Sequence, residues 1–481
     1  MKKATYLLGM LMLSVLAFSC NDDNPDPIPD NSGTPAVNGQ RDAQGRIVLK
    51  DEVKSNAKLL ATEKYLLSGF VYVRSGATLE IEPGTVILGD KESKGTLIVE
   101  RGAKLEAVGT ATRPIVFTSA QAKGSRKYGD WGGVVLVGSA PINQPLSTKL
   151  EGGISGEFGG TNATDNSGTL KYVRIEFAGV PLTTAANSEI NGLTMYGVGS
   201  GTTIDNVQVS YSGDDSFEWF GGTVNAKHLV AFRGWDDDFD TDFGYTGKVQ
   251  YAVSLRDPQY ADQSGSNAFE SDNYNPGIRP DGTVGTNDGD PLTAPVFSNV
   301  SAFVTNGTPS ATAIAGSGGY QSAMHLRRNT SVSIYNTVAV GYPEGLRLDG
   351  VPTWNNTKSN GLNLKGIVLA NTITPLRIAA NTVNGAVVFS LDDLTSWFNA
   401  AGKNNSLVSS VDLSTLGLNA NTFNLTTPGF LPQAGSPLLT GAIFDGKANN
   451  AFFDKVTFKG AFGTENWTQG WTNFDPQNTT Y

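Results

Sequence analysis

The sequence predicts an all-β fold: a right-handed parallel β-helix finished by a short C-terminal helix and an irregular cap. Two observations carry this prediction. Strands and turns repeat together at one period, and the composition suits short strands joined by tight turns. Residues 207–212 are answered 22 residues later by 229–234, and again by 251–256. The turn 213–218 (Gly-Asp-Asp-Ser-Phe-Glu) is answered at the same step by 235–240 (Trp-Asp-Asp-Asp-Phe-Asp). Self-similarity at such a period marks a solenoid, because each repeat buries its apolar side only against its neighbours. A sandwich of hairpins would not hold strands and turns in step. Gly contributes 57 of 481 residues and charged residues only 17%, which favours turns over helical surface.

The elements follow in order. Met1-Lys2-Lys3 is a short positive segment, and the apolar run 6–18 is too short to span a bilayer, which takes about 20 residues. Residues 1–19 therefore read as an export signal. Leu16-Ala17-Phe18-Ser19-Cys20 resembles the lipobox of bacterial lipoproteins, which implies lipidation of Cys20 and a membrane tether. Cys20 is the only cysteine, so no disulfide supports the fold. Residues 20–40 are Asp- and Pro-rich and read as a disordered tether. The acidic patch after Cys20 resembles the surface-export signal of Bacteroidota lipoproteins. The β-helix is expected over 41–481, with early strands at 69–73, 77–81, 84–88, 95–99, 103–107 and 114–118. Residues 257–293 are Asp-, Pro- and Gly-rich and read as an insertion forming one wall of a binding surface. Ser390 and Asp393 form a capping box before Leu391, Leu394, Trp397, Phe398 and Ala401 at helical spacing. The Trp-rich stretch 458–481 reads as a cap over the last coil.

Equivalent positions of successive coils stack about 4.8 Å apart. Aligning the repeats on Phe217, Phe239, Phe269, Met324, Leu346 and Leu376 gives one outward column of Glu218, Asp240, Glu270, His325, Arg347 and Arg377. Its neighbour reads Phe220, Asp242, Asp272, Arg327, Asp349 and Ala379. An acidic stripe thus passes into a basic one. Stacked carboxylates repel unless a cation, a proton or an arginine intervenes. Glu218, Asp240, Asp242, Glu270 and Asp272 are the candidate ligands of a hard cation such as Ca²⁺, which takes roughly 6–8 oxygens. Asp214, Asp215, Asp236, Asp237 and Asp238 thicken this end, and Asp214 and Asp236 are expected to cap their turns. His325, Arg327, Arg347 and Arg377 are candidate anion-binding residues, or else a structural ladder to Asp242, Asp272 and Asp349. Trp219 and Trp235 are candidate stacking platforms for a sugar, or else pack in the core or against loops, the commoner fate of a tryptophan.

Several phrases carry a resemblance: Ser-Gly-Phe-Val-Tyr-Val at 68–73, Leu-Glu-Ile-Glu-Pro-Gly-Thr-Val at 79–86, Gly-Asp-Trp-Gly-Gly-Val-Val-Leu at 129–136, Leu-Lys-Tyr-Val-Arg-Ile-Glu-Phe-Ala-Gly at 170–179, and Gly-Ala-Phe-Gly-Thr-Glu-Asn-Trp at 460–467. Together they resemble Bacteroidota surface lipoproteins with a pectate-lyase-like β-helix, a family without a settled activity. The Gly-Asp-Asp turn at 213–215 resembles that of β-helical polygalacturonases, but the rest of that constellation is missing.

Three functions stay open at this stage. The first is a non-catalytic surface protein that captures a polar polymer or glycan, possibly for an outer-membrane transporter. The second is a calcium-dependent polysaccharide lyase or glycoside hydrolase, and the third a structural or adhesive protein. A net charge of −10 argues against nucleic acid as a partner, and two histidines leave no room for His-rich zinc chemistry.

Overall fold

In a computed structural model, the structure describes Met1 and residues 33–181, 189–262, 264–274, 289–304 and 318–481. The segment expected to be a leader and Cys20, where lipidation is expected, lie outside these residues. Each coil is built from three short parallel strands, so the solenoid has three faces. One face stacks Leu193–Tyr196, Phe217–Phe220, Phe239–Asp242, Phe269–Ser271, Ser322–Leu326, Glu344–Asp349 and Thr374–Ala379. The other two faces are the halves of longer strands such as Thr203–Ser210, Asn225–Phe232 and Lys248–Arg256. Each of these bends at one left-handed residue, at Asn206, His228 and Tyr251 in turn. Strand pairing skips that residue and resumes beyond it, so Asp205 pairs Lys227 and Val207 pairs Leu229. The result is the right-handed parallel β-helix that the repeat predicts.

Period-2 alternation sends one apolar row from each face inward. Phe217, Phe239, Phe269, Met324 and Leu346 are all buried in one column, with the phenyl rings of Phe217 and Phe239 stacked 5.9 Å apart. The helix Leu391–Phe398 carries the expected capping box and buries Leu394 and Phe398. A second helix, Val351–Lys358, is not foreshadowed by amphipathic spacing. Only Thr353, Trp354 and Thr357 of it are buried.

Two boundaries differ from expectation. Pro35 and Val37 already exchange backbone hydrogen bonds with Lys58, inside the stretch expected to be tether. The C-terminal stretch does not cap the last coil. It runs back along the solenoid as a strap, from Lys365–Asp445 through Lys227–Asp454 to Lys64 and Tyr481. The reason is an outward apolar row, Val230, Phe232, Val253, Leu255 and Phe303, which would otherwise face water. Phe430, Phe462 and Trp471 cover it. Buried side-chain amides pin the strap as an adjacent strand would. Gln208, Gln250 and Asn336 each donate to one strap carbonyl and accept from the N–H of the same residue, at Asn473, Asp454 and Ile443. Gln250→Ala is therefore expected to remove about 1–2 kcal/mol of stability and to speed proteolysis of residues 443–473. Unchanged protease resistance would mean that the aromatic packing alone holds the strap.

Candidate metal centre

The register of the first face places the outward column as the alignment predicts. Glu218 pairs Asp240, Asp240 pairs Glu270, Glu270 pairs His325, His325 pairs Arg347 and Arg347 pairs Arg377. Beside its acidic half lies a cavity of about 560 Å³. Among the described residues, ten carboxyl side chains line it, from Glu151, Glu189, Asp214, Asp215, Glu218, Asp236, Asp237, Asp240, Asp262 and Glu270, against one basic residue, Arg327.

The corner preceding the strands explains part of this. Asn191, Asp215, Asp237 and Asn267 form a ladder in which each side-chain oxygen accepts the backbone N–H at the next coil. Asn191 accepts from Asp215 (3.2 Å), Asp215 from Asp237 (2.7 Å), Asp237 from Asn267, and Asn267 from Ser322 (3.0 Å). Asp215 and Asp237 are thus the capping aspartates, and Asp214 and Asp236, expected to cap, line the cavity instead. Asparagine does the same work at both ends of the ladder. The two central aspartates therefore add charge that capping does not require.

Oxygens from three trios approach within 4.8 Å of one another: Asp214, Asp215 and Asp236; Asp215, Glu218 and Asp240; and Asp237, Asp240 and Glu270. Burial, reinforced by neighbouring carboxylates, pushes Asp214, Asp215, Glu218, Asp237 and Asp240 well above the ordinary carboxyl range. Asp236 rises to about 7 and Glu151 to about 8 for the same reasons. One oxygen each of Asp236 and Asp240 is buried without a hydrogen-bond partner. An all-oxygen donor set with orphaned carboxylate atoms fits a hard divalent cation.

The remaining sequence candidates part company here. Asp242 and Asp272 do not line the cavity. Asp272 is held by Arg327 (2.7 Å) and Arg328, and Asp242 accepts the Phe243 N–H at 2.6 Å. Arg327 also binds Glu270, so its guanidinium is committed to two carboxylates. Burial penalises the charge on Glu270, but Arg327 and His325 outweigh this and hold it below the ordinary value. His325 is only 4% exposed, wedged between Glu270 at 3.4 Å and Asp349 at 3.6 Å, rather than facing a ligand. Burial disfavours its charged form, yet those two partners raise its pKa. Arg347 and Arg377 reach neither Asp272 nor Asp349. Both clasp Glu344, at 2.8 and 2.6 Å. Of the anticipated ladder, only Arg327 to Asp272 forms among the described residues.

Neither tryptophan offers a platform to the cavity. Trp219 points inward, fully buried, and stacks on Tyr245 at 5.4 Å. Trp235 packs against Tyr128 and Tyr260 away from the cavity. Glu151, Glu189 and Asp262 escaped sequence reading, since they reach the cavity from outside the first-face strands and share no repeat position. Asp215 and Asp237 were legible as a 22-residue repeat.

Fold and site together define a parallel β-helix protein with a carboxylate-lined cavity able to coordinate a divalent cation. The chain belongs to the family described as pectate-lyase like β-helix domain, whose model matches residues 51–426. Comparison with curated proteins and with solved structures returns no match.

Proposed function

We infer that this protein is a surface lipoprotein that captures an anionic glycan through Ca²⁺ held in the acidic cavity, without cleaving it. The observation that carries the reading is the placement of Asp215 and Asp237 at ladder positions where asparagine suffices, among ten carboxyls facing one committed arginine. Glu218, Asp240 and Glu270, with Asp214, Asp215, Asp236 and Asp237, would hold the ions. A bound Ca²⁺ keeps coordination positions that carboxylate or hydroxyl oxygens of a polymer can fill. Elimination chemistry would need a free basic side chain beside the ion, and Arg327, the one basic residue among the described residues that line the cavity, is occupied by Glu270 and Asp272. That favours binding over elimination. The lipobox-like segment ending at Cys20 would tether the solenoid to the outer membrane, where a captured polymer could pass to a transporter.

Calorimetric titration of Ca²⁺ into the chain beginning at residue 21 tests this directly. Binding at about micromolar affinity is expected, weakened at least a hundredfold by Glu218→Gln/Asp240→Asn/Glu270→Gln. No heat from the parent chain would end the cation reading. Unsaturated products from polygalacturonate in the presence of Ca²⁺ would replace the binding protein with a lyase.

A further inference from the structure

A second cavity, of about 410 Å³, lies between the strap and the bend that joins the other two faces. Its wall is a run of rings in contact. Trp467 meets His228 at 5.2 Å, His228 stacks on Tyr251 at 5.1 Å and 14°, and Tyr251 stacks on Phe458 at 6.3 Å. Asp454 and Glu465 complete the lining. We propose that this cavity binds a neutral sugar ring, with its C–H face against Trp467 and Phe458, the half-buried rings that Tyr251 and His228 back, and its hydroxyls donating to Asp454, Glu465 and His228.

Three observations select that ligand. First, the rings touch one another and form one wall, whereas an aromatic cage for an organic cation needs rings set around a gap. The cation position over Tyr251 is also already taken. Lys227 Nζ lies 5.9 Å from that ring and 2.8 Å from Asp454. Second, the exposed Glu465 carboxylate repels a uronate and accepts strong, charge-assisted hydrogen bonds from hydroxyls, and Asp454, whose charge Lys227 balances, still accepts them. Nδ1 of His228 is tied to Asp205 at 2.7 Å, which leaves Nε2 as the ring nitrogen for a ligand. An apolar wall with a few convergent polar groups, in a cavity of this size, is the usual form of a small-ligand site.

The third observation is conformational. Tyr251 sits at φ 61°, where a bulky side chain is strained; the same bend carries Asn206 and Asn299 in two other coils, and Tyr172 and His228, whose rings meet strap tryptophans, in two more. Rings are thus kept at this bend, against its backbone strain, where they meet the aromatic side chains of the strap. The same logic supplies the test. Tyr251→Asn installs the residue that other coils carry, so the bend survives while the wall is lost.

Saturation-transfer NMR on the whole chain from residue 21 would use cellotetraose, xylotetraose and mannotetraose, with choline and tetragalacturonate as contrasts. Transfer to the C–H protons of a neutral tetrasaccharide is expected, unchanged by a calcium chelator and weakened at least tenfold in both Tyr251→Asn and Glu465→Gln. The chelator separates this site from the acidic cavity, so either can fail alone. No transfer to any neutral sugar, transfer only to choline or tetragalacturonate, or binding that survives both substitutions would overturn the proposal. A loss of thermal stability in Tyr251→Asn does not rescue it, because Glu465→Gln alters an exposed side chain.

Discussion

In the presence of a chelator, the protein will lose stability as pH rises from about 4 to about 8, and calcium will flatten that slope. Ordinary acid denaturation runs the other way, because most native carboxylates are stabilised as anions. Here burial comes first and neighbouring anions second, and both favour the protonated form of Asp214, Asp215, Glu218, Asp237 and Asp240. The unfolded chain releases these protons near pH 4, at about 3.9 for Asp and 4.3 for Glu. Through the window above that, the folded state binds more protons than the unfolded state, so stability falls with pH. The fall continues through about 7 for Asp236 and about 8 for Glu151. Glu270 and Asp349, both held low by His325 and nearby arginines, contribute with the opposite sign, but only around and below pH 4. At about 1.4 kcal/mol per pKa unit, Asp236 and Glu151 alone, at about 7 and about 8, amount to several kcal/mol across the window. Calcium replaces the protons as counter-charge, and a ligand that binds only the folded state adds stability by mass action. Thermal melts at pH 5 and pH 8, each with chelator and with calcium, measure both effects. A profile with chelator that is level or rises towards pH 8 would show that the carboxyls are neutralised within the protein.

The same physics explains what could be read in advance. The column Glu218, Asp240, Glu270, His325, Arg347 and Arg377 was legible across two long interruptions, because stacked parallel strands must share one inward row. That rule also applies to Trp219. It stands two residues beyond inward Phe217, and period 2 sends it into the core. Its assignment as a sugar platform set chemistry above periodicity. The strap had a signal too. In Asn225–Phe232 the run Leu229, Val230, Ala231 and Phe232 is apolar at every position, so that strand needs cover on both sides. Which of two adjacent aspartates caps a turn was not legible. Asp214 and Asp215 differ only in the direction the turn gives each side chain, and that direction depends on backbone angles that composition does not encode. Glu151, Glu189 and Asp262 were beyond reach for a different reason. Their arrival at the cavity depends on how separate segments pack, which no repeat constrains.

Arg256→Met will be among the most destabilising single substitutions, by about 3–5 kcal/mol, and it will weaken calcium binding from behind the cavity. Arg256 and Asp238 are both fully buried, with their charges 3.2 Å apart. The guanidinium also donates to the carbonyls of Asn267 (2.8 Å), Gly234 (3.2 Å) and Trp235 (3.1 Å) and lies over the Tyr320 ring. Methionine fills much of the volume but leaves Asp238 without its counter-charge in a region water does not reach. Asp238 retains the hydroxyls of Ser254 and, at 3.4 Å, Tyr342 as donors, which are too little to hold an anion there. The three carbonyls belong to the corner that carries Asp236 and Asp237 and to Asn267, the next rung of the ladder. Their release loosens the positions of the cavity carboxyls. The double substitution Arg256→Met/Asp238→Leu separates the two consequences. Removing both charges should restore a large part of the stability, since the dominant penalty is the unpaired anion. Calcium affinity should stay low, because the carbonyls still lack their donor. Denaturant unfolding and calcium calorimetry on the same samples read the two effects independently. Recovery of both in the double variant would confine Arg256 to charge balance. Recovery of stability alone would make it the post on which the acidic corner is hung.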